Sequence, residues 1–177
     1  MNRILLVILI GVILFFSYGI YSNLNKKSIK SKRVVCQQQT VTFESIYDKT
    51  NIAKVQKLFT SKNYIIKSNI IYSVFMPTVL KNNLNANLAD DILKRNIPIT
   101  DIIKTDEKLV IDYYIYENDK DDNKKKNPKA KLYAGYLLFE FKLNEKIVYK
   151  IQTDYMKQDG SDIENRIECV VKSFLSI

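Results

Sequence analysis

Between residues 109 and 156 apolar and polar side chains alternate in three successive runs. Leu109, Ile111, Tyr113 and Ile115 alternate with Val110, Asp112, Tyr114 and Tyr116. Over 132–143, Tyr133, Gly135, Leu137, Phe139, Phe141 and Leu143 share one parity; over 147–156, Ile147, Tyr149, Ile151, Thr153 and Tyr155 do, against Lys150, Gln152 and Asp154. A period of two places successive side chains on opposite faces of a strand and has no helical equivalent. The pattern predicts a three-stranded antiparallel meander with one wet face. A charged loop over 117–131 joins the first two strands. Parity also sets the second hairpin: a three-residue loop over 144–146 would pair Leu143 with Ile147, Phe141 with Tyr149 and Phe139 with Ile151, and set Glu140 opposite Lys150.

The remaining patterns surround this meander. Residues 41–45 alternate as a short strand, and 64–75 is dense in Ile, Tyr and Val up to Pro77. Ile52, Val55, Leu58 and Phe59 form one face of a helix over 51–61. Leu80, Leu84, Leu88 and Ile92 predict a second helix over 79–95, weakened by Asn82, Asn83, Asn85 and Asn87. Ile163, Ile167, Val170 and Phe174 predict a last amphipathic helix over 162–176, with Cys169 on its polar side beside Asn165 and Ser173. The fold class expected is α+β: an N-terminal single transmembrane helix, then one small domain with a mainly antiparallel sheet and helices packed on its apolar face.

The transmembrane expectation comes from Ile4 to Ile20, 17 residues without a charge. As a helix they would span about 26 Å, enough for a hydrocarbon core. Tyr18 and Tyr21 stand where an interfacial belt would be. The organisation read from the chain is a transmembrane anchor over 1–21, meeting the lipid bilayer through residues 4–21, a basic juxtamembrane stalk over 22–39, and a soluble domain over 40–177. Small residues at Ser17 and Gly19 keep a cleaved signal peptide open as the alternative. Lys26, Lys27, Lys30, Lys32 and Arg33 would contact anionic headgroups. Those charges, by the positive-inside rule, favour a cytosolic domain; the short N-terminal tail and the two cysteines favour export. The expectation adopted is a single-pass inner-membrane protein of a bacterium, its domain in the extracytoplasmic (periplasmic) space of the cell envelope.

Composition removes most chemistry. The chain has 177 residues, no His and four Gly, so imidazole catalysis, His-ligated zinc and Gly-rich phosphate loops are excluded. The net charge of +9 is concentrated before Val34, beside the apolar run, which argues against nucleic acid as partner. Asp119, Asp121 and Asn123 begin like a calcium loop, but Lys124 stands where Gly is needed and Ala130 where a bidentate Glu is needed. Asp112, Glu140 and Asp154 fall on the polar strand face, where solvated carboxylates are expected without catalysis. Tyr114, Tyr116 and Tyr136 are the candidates for binding a partner, and Cys36 and Cys169 for a disulfide. No cofactor and no small-molecule substrate is called for. The function expected is that of a non-enzymatic membrane-anchored envelope protein whose domain binds a partner protein or supports an assembly. The alternatives are a cytosol-facing domain binding acidic partners, or an enzyme using carboxylates, Lys or Tyr.

Overall fold

The computed structural model describes residues 11–13, 16–17, 30–100, 102–124 and 133–177. Strands β1 (Thr42–Ile46), β2 (Tyr64–Ile71), β3 (Leu109–Glu117), β4 (Gly135–Leu143) and β5 (Lys146–Tyr155) form one sheet in the order β1-β5-β4-β3-β2. Helices α1 (Ile52–Thr60), α2 (Leu80–Asn83), α3 (Ala86–Asn96) and α4 (Ile163–Leu175) accompany it, and a 3-10 turn at Val35–Gln39 precedes β1. The fold class is α+β, with two corrections to the expectation. First, the sheet has five strands and is mixed: β2 runs parallel to β3 and the other pairs are antiparallel. The segment between β2 and β3, carrying α2 and α3, makes the crossover that parallel neighbours require. Second, among the described residues no helix is long and apolar enough to cross a membrane. The expected transmembrane helix falls mostly outside those residues; of its run, 11–13 and 16–17 are described and helical.

The core lies on the helix-covered face. Leu109, Ile111, Tyr113 and Ile115 of β3, Leu137, Phe139 and Phe141 of β4, and Tyr149 and Ile151 of β5 are buried there. They meet Val55 and Phe59 of α1, Leu93 of α3, and Ile167, Val170 and Phe174 of α4. Phe174 stacks on Phe141 with ring centroids 4.0 Å apart, and Phe59 meets Phe174 edge-on at 5.3 Å. Each such side chain contributes roughly 1.5–3 kcal/mol by burial alone.

Three elements depart from their expected form. The helix expected over 79–95 is broken into α2 and α3, because Leu84 and Asn85 are extended and the Asn85 side chain accepts the Leu88 N–H at 2.9 Å. An N-cap asparagine starts a new helix more readily than it continues one. The strand expected over 64–75 ends at Ile71, because the next amides turn to carboxylates instead of a ladder. The β4–β5 loop has two residues, Asn144 and Glu145, both left-handed with φ of 48° and 64°. Phe139 pairs with Ile151, Glu140 with Lys150 and Phe141 with Tyr149, as parity demands, but Lys142 pairs with Ile147 and Leu143 with Lys146. The extra residue is accommodated by a bulge at Val148, whose carbonyl accepts the Tyr47 and Asp48 N–H groups. Parity was thus preserved by a bulge within the strand and not by loop length.

Cys36 and Cys169 are disulfide-bonded, S–S 2.05 Å, across 133 residues. Cys169 is buried, contrary to its expected place on a solvated helix side. The physical reason is a second cover on α4. Gln37, itself buried, donates to the Ser173 hydroxyl at 3.0 Å and accepts from Ser31 and from the Val34 N–H. A helix side that is polar in sequence is thereby packed against the segment 30–39, which the sequence reading assigned to the stalk.

Candidate functional site

Among the described residues no helix covers the second face of the sheet. It is built by the even-numbered residues of β3 and β4: Asp112, Tyr114 and Tyr116, then Tyr136, Glu140 and Lys142. Register brings Tyr116 opposite Tyr136 and Tyr136 opposite Asp154. The rings of Tyr116 and Tyr136 stack at 5.1 Å and those of Tyr114 and Tyr136 meet edge-on at 5.9 Å. The three tyrosines chosen from sequence parity therefore form one contiguous cluster. Burial, then a hydrogen bond with Tyr114, raises the Tyr136 hydroxyl above its ordinary pKa, so it stays protonated throughout the physiological range. Beside the cluster, next to Tyr114, the β2–β3 region has a shallow depression of about 260 Å³ lined by Lys67, Asn69, Ile71 and Asp112.

The other half of this face is charged. Lys142 bridges Asp112 at 2.6 Å and Glu140 at 2.9 Å, and Lys150 meets Glu140 at 2.7 Å. Asp112 and Glu140 are thus engaged by lysines. Asp154 stands apart. It is 9% exposed, and burial lifts its pKa to about 6 against the lowering pull of Gln152 and Lys30. The chemistry available here is recognition: phenolic donors and ring faces at one end, a ladder of alternating charge at the other.

The basic cluster is divided by the structure. Lys26 and Lys27 lie outside the described residues. Lys30 and Lys32 are exposed and line a groove of about 370 Å³ with Gln38, Tyr133 and Met156. Arg33 is drawn into the fold: its guanidinium grips Glu44 through two bonds, at 2.9 and 2.8 Å, and donates to the Ser173 carbonyl at the end of α4. Burial alone would raise the Glu44 pKa, but hydrogen bonds from Arg33, Ser31 and Tyr149 outweigh it and hold the carboxyl at about 2.

Sequence reasoning missed one cluster entirely. At the end of β3, Glu117 accepts from the Ser73 N–H at 3.0 Å, from the Val79 and Leu80 N–H groups at 3.2 Å, and from the Thr78 hydroxyl. Asp119 accepts from the N–H groups of Val74 at 2.7 Å, Phe75 at 2.6 Å and Met76 at 3.2 Å. Both carboxyls are partly desolvated, yet these donors together push their pKa values below the ordinary range. Asp119, which opens the calcium-like motif, thus spends its oxygens on backbone amides. Among the described residues no group of three or more Cys, Asp or Glu side chains is arranged to hold a metal. The one signal available was an acidic pair, Glu117 and Asp119, at the end of a strand.

No family model matches the chain, and no curated protein matches it. Two solved structures show a loose likeness. The PelC dodecamer from Paraburkholderia phytofirmans is 10% identical, over 77% of this chain and 96% of that one, with a TM-score of 0.37. A point variant of the same dodecamer is 13% identical, over 64% of this chain and 84% of that one, with a TM-score of 0.32.

Proposed function

We propose that this protein is a non-enzymatic, membrane-anchored protein of a bacterial cell envelope, its domain exported and used to bind a partner protein. The observation that carries the reading is the convergence of Tyr114, Tyr116 and Tyr136 on the sheet face opposite the helix-packed core. Tyrosine offers a large contact area, a polar tip and little conformational entropy to lose, which suits it to protein interfaces. The Cys36–Cys169 bond supports export, since structural disulfides persist in oxidising compartments. The absence of His from the whole chain, and the engagement of Asp112 and Glu140 by lysines, support a binding role over a catalytic one.

The test is made in intact cells with the full chain. Alkaline phosphatase fused at the C-terminus should be active, and a cytosolic reporter at the same place silent. A photo-crosslinking side chain at Tyr116 or Tyr136 should give one discrete adduct, and the same group at Lys57, on the exposed side of α1, should not. Equal labelling from both faces would sink the binding-face reading, and an inactive phosphatase would sink export.

A further inference from the structure

We infer that one end of the sheet is a bilayer-docking surface, with Val74 and Phe75 as its inserting tip. The inference deepens the functional reading above and rests on its membrane attachment. Ile71, Glu117, Gly135, Tyr155 and Thr42 mark this end, because Ile71 pairs beside Tyr116, Glu117 with Gly135, Gly135 with Tyr155 and Thr42 with Thr153. Here Val74 is 83% exposed and Phe75 63%, with Val79 and Met156 also exposed. Scattered exposed apolar residues need no explanation, but these two sit on a segment that the fold holds rigidly. The amides of Val74 and Phe75 both donate to Asp119, and the flanking Ser73 and Val79 amides to Glu117. Two carboxylates therefore fix a loop whose largest side chains point away from the core. Because those carboxylates already satisfy its N–H groups, the tip can enter a low-dielectric layer without orphaning these donors.

The occupant is indicated by where the chain enters. The Ser31 N–H donates to the Thr42 carbonyl, so the segment arriving from the apolar run 4–20 meets the domain at this same end. Lys30 lies there beside Tyr133 and Met156. The β1 and β2 edges of this end are separated by four strand spacings, about 19 Å. Among the described residues of this end, exposed Lys30, Lys32, Lys81, Lys124 and Lys157 outnumber exposed Asp121, Asp159 and Glu164. Lysines around a Phe and Tyr rim match an anionic interface. A hydrophobic slot in a partner protein would take the same tip, and quenching by brominated lipid separates the two.

The chain contains no Trp, so a single one reports its own surroundings. Full-length Phe75→Trp and Ile102→Trp are reconstituted with vesicles of phosphatidylethanolamine and phosphatidylglycerol, with and without brominated acyl chains. Ile102 is 92% exposed and precedes Leu109, at the opposite end of the sheet. The expected result is that both variants float with the vesicles, and that only the Phe75→Trp emission is blue-shifted and quenched by bromine. A chain that floats with Trp emission at 75 unquenched overturns the docking surface alone and leaves the tip to a protein partner. Equal quenching at both positions overturns it as well. A chain that does not float overturns the membrane attachment and the docking surface together.

Discussion

Asp154 and Glu44 flank the same β1–β5 ladder, yet their surroundings push them in opposite directions. Asp154 is desolvated without a full set of donors, and its pKa rises from the ordinary 3.8 to about 6. Between those two values the folded chain binds more protons than the unfolded one, so stability falls as pH rises and levels off above 6. Asp154→Asn should therefore raise Tm at neutral pH, by about 2–4 °C for a gain near 1 kcal/mol in a chain of this size, with the gain vanishing below pH 4. Thermal unfolding across pH 3.5 to 8 checks this; a variant less stable at pH 7.5 would show that charged Asp154 is favourably paired. Glu44 has the opposite sign. Its folded value of about 2 lies below the ordinary 4.5, so its contribution is complete above 4.5 and is lost as pH falls toward 2. Glu44→Gln should destabilise at neutral pH and remove acid sensitivity in that lower window, measured by urea midpoints at pH 2.5 and 7. A midpoint unchanged at pH 7 would mean that the Arg33 and Tyr149 bonds to Glu44 contribute nothing net.

At the scale of elements, the loop between β2 and α2 depends on one side chain for three amides. Asp119→Asn leaves one acceptor oxygen where two served Val74, Phe75 and Met76. Amide exchange at these three positions should speed by roughly tenfold or more while the β3 and β4 amides keep their protection. Unchanged exchange at residues 74–76 would show that Glu117 alone holds the loop. No periodicity announces such an arrangement, because its donors belong to the backbone and its acceptors lie more than forty positions away in sequence. The meander was legible because Leu109 to Tyr155 alternates on a surface buried on one side only. The faces of β3, β4 and β5, the tyrosine cluster and the Glu140–Lys150 contact follow from that alternation. The parallel pairing of β2 was not legible. Ile65, Ile66, Ile70 and Ile71 fall on both parities, so the strand carries no sign of which neighbour it takes or in which direction. The break at Asn85 was half-visible: four asparagines weakened the helix in sequence, and a single cap hydrogen bond then ended the ambiguity. For the hairpin, parity fixed the faces but could not choose between a longer loop and the bulge at Val148.

For the molecule as a whole, the segment 30–39 joins the first strand edge to the last helix, and the helix wheel misjudged Cys169 for that reason. A wheel compares the faces of one helix; it has no term for a distant segment laid over the polar side. Here Cys36, Gln37 and Arg33 cover Cys169, Ser173 and the α4 carboxyl end, so what reads as a solvated stripe is an interior of hydrogen bonds and one covalent bond. The bond closes a loop of 133 residues. In the chain-entropy description such a closure removes about 5 kcal/mol of unfolded-state freedom, and measured losses on removing native bridges are commonly ~2–5 kcal/mol. Reduction should therefore act in two ways. The denaturant midpoint should fall by the equivalent of ~2–5 kcal/mol, and limited proteolysis should begin between Lys32 and Thr40, because Gln37 and Arg33 alone must then hold the segment. Cys36→Ser and Cys169→Ser should each reproduce both effects without altering the far-UV spectrum of the sheet. If Cys36→Ser left the midpoint unchanged while opening 32–40 to protease, the bridge would be a local fastening of the segment and not a constraint on the whole chain. If neither changed, the noncovalent contacts of Arg33 and Gln37 would be sufficient to seat the segment on α4.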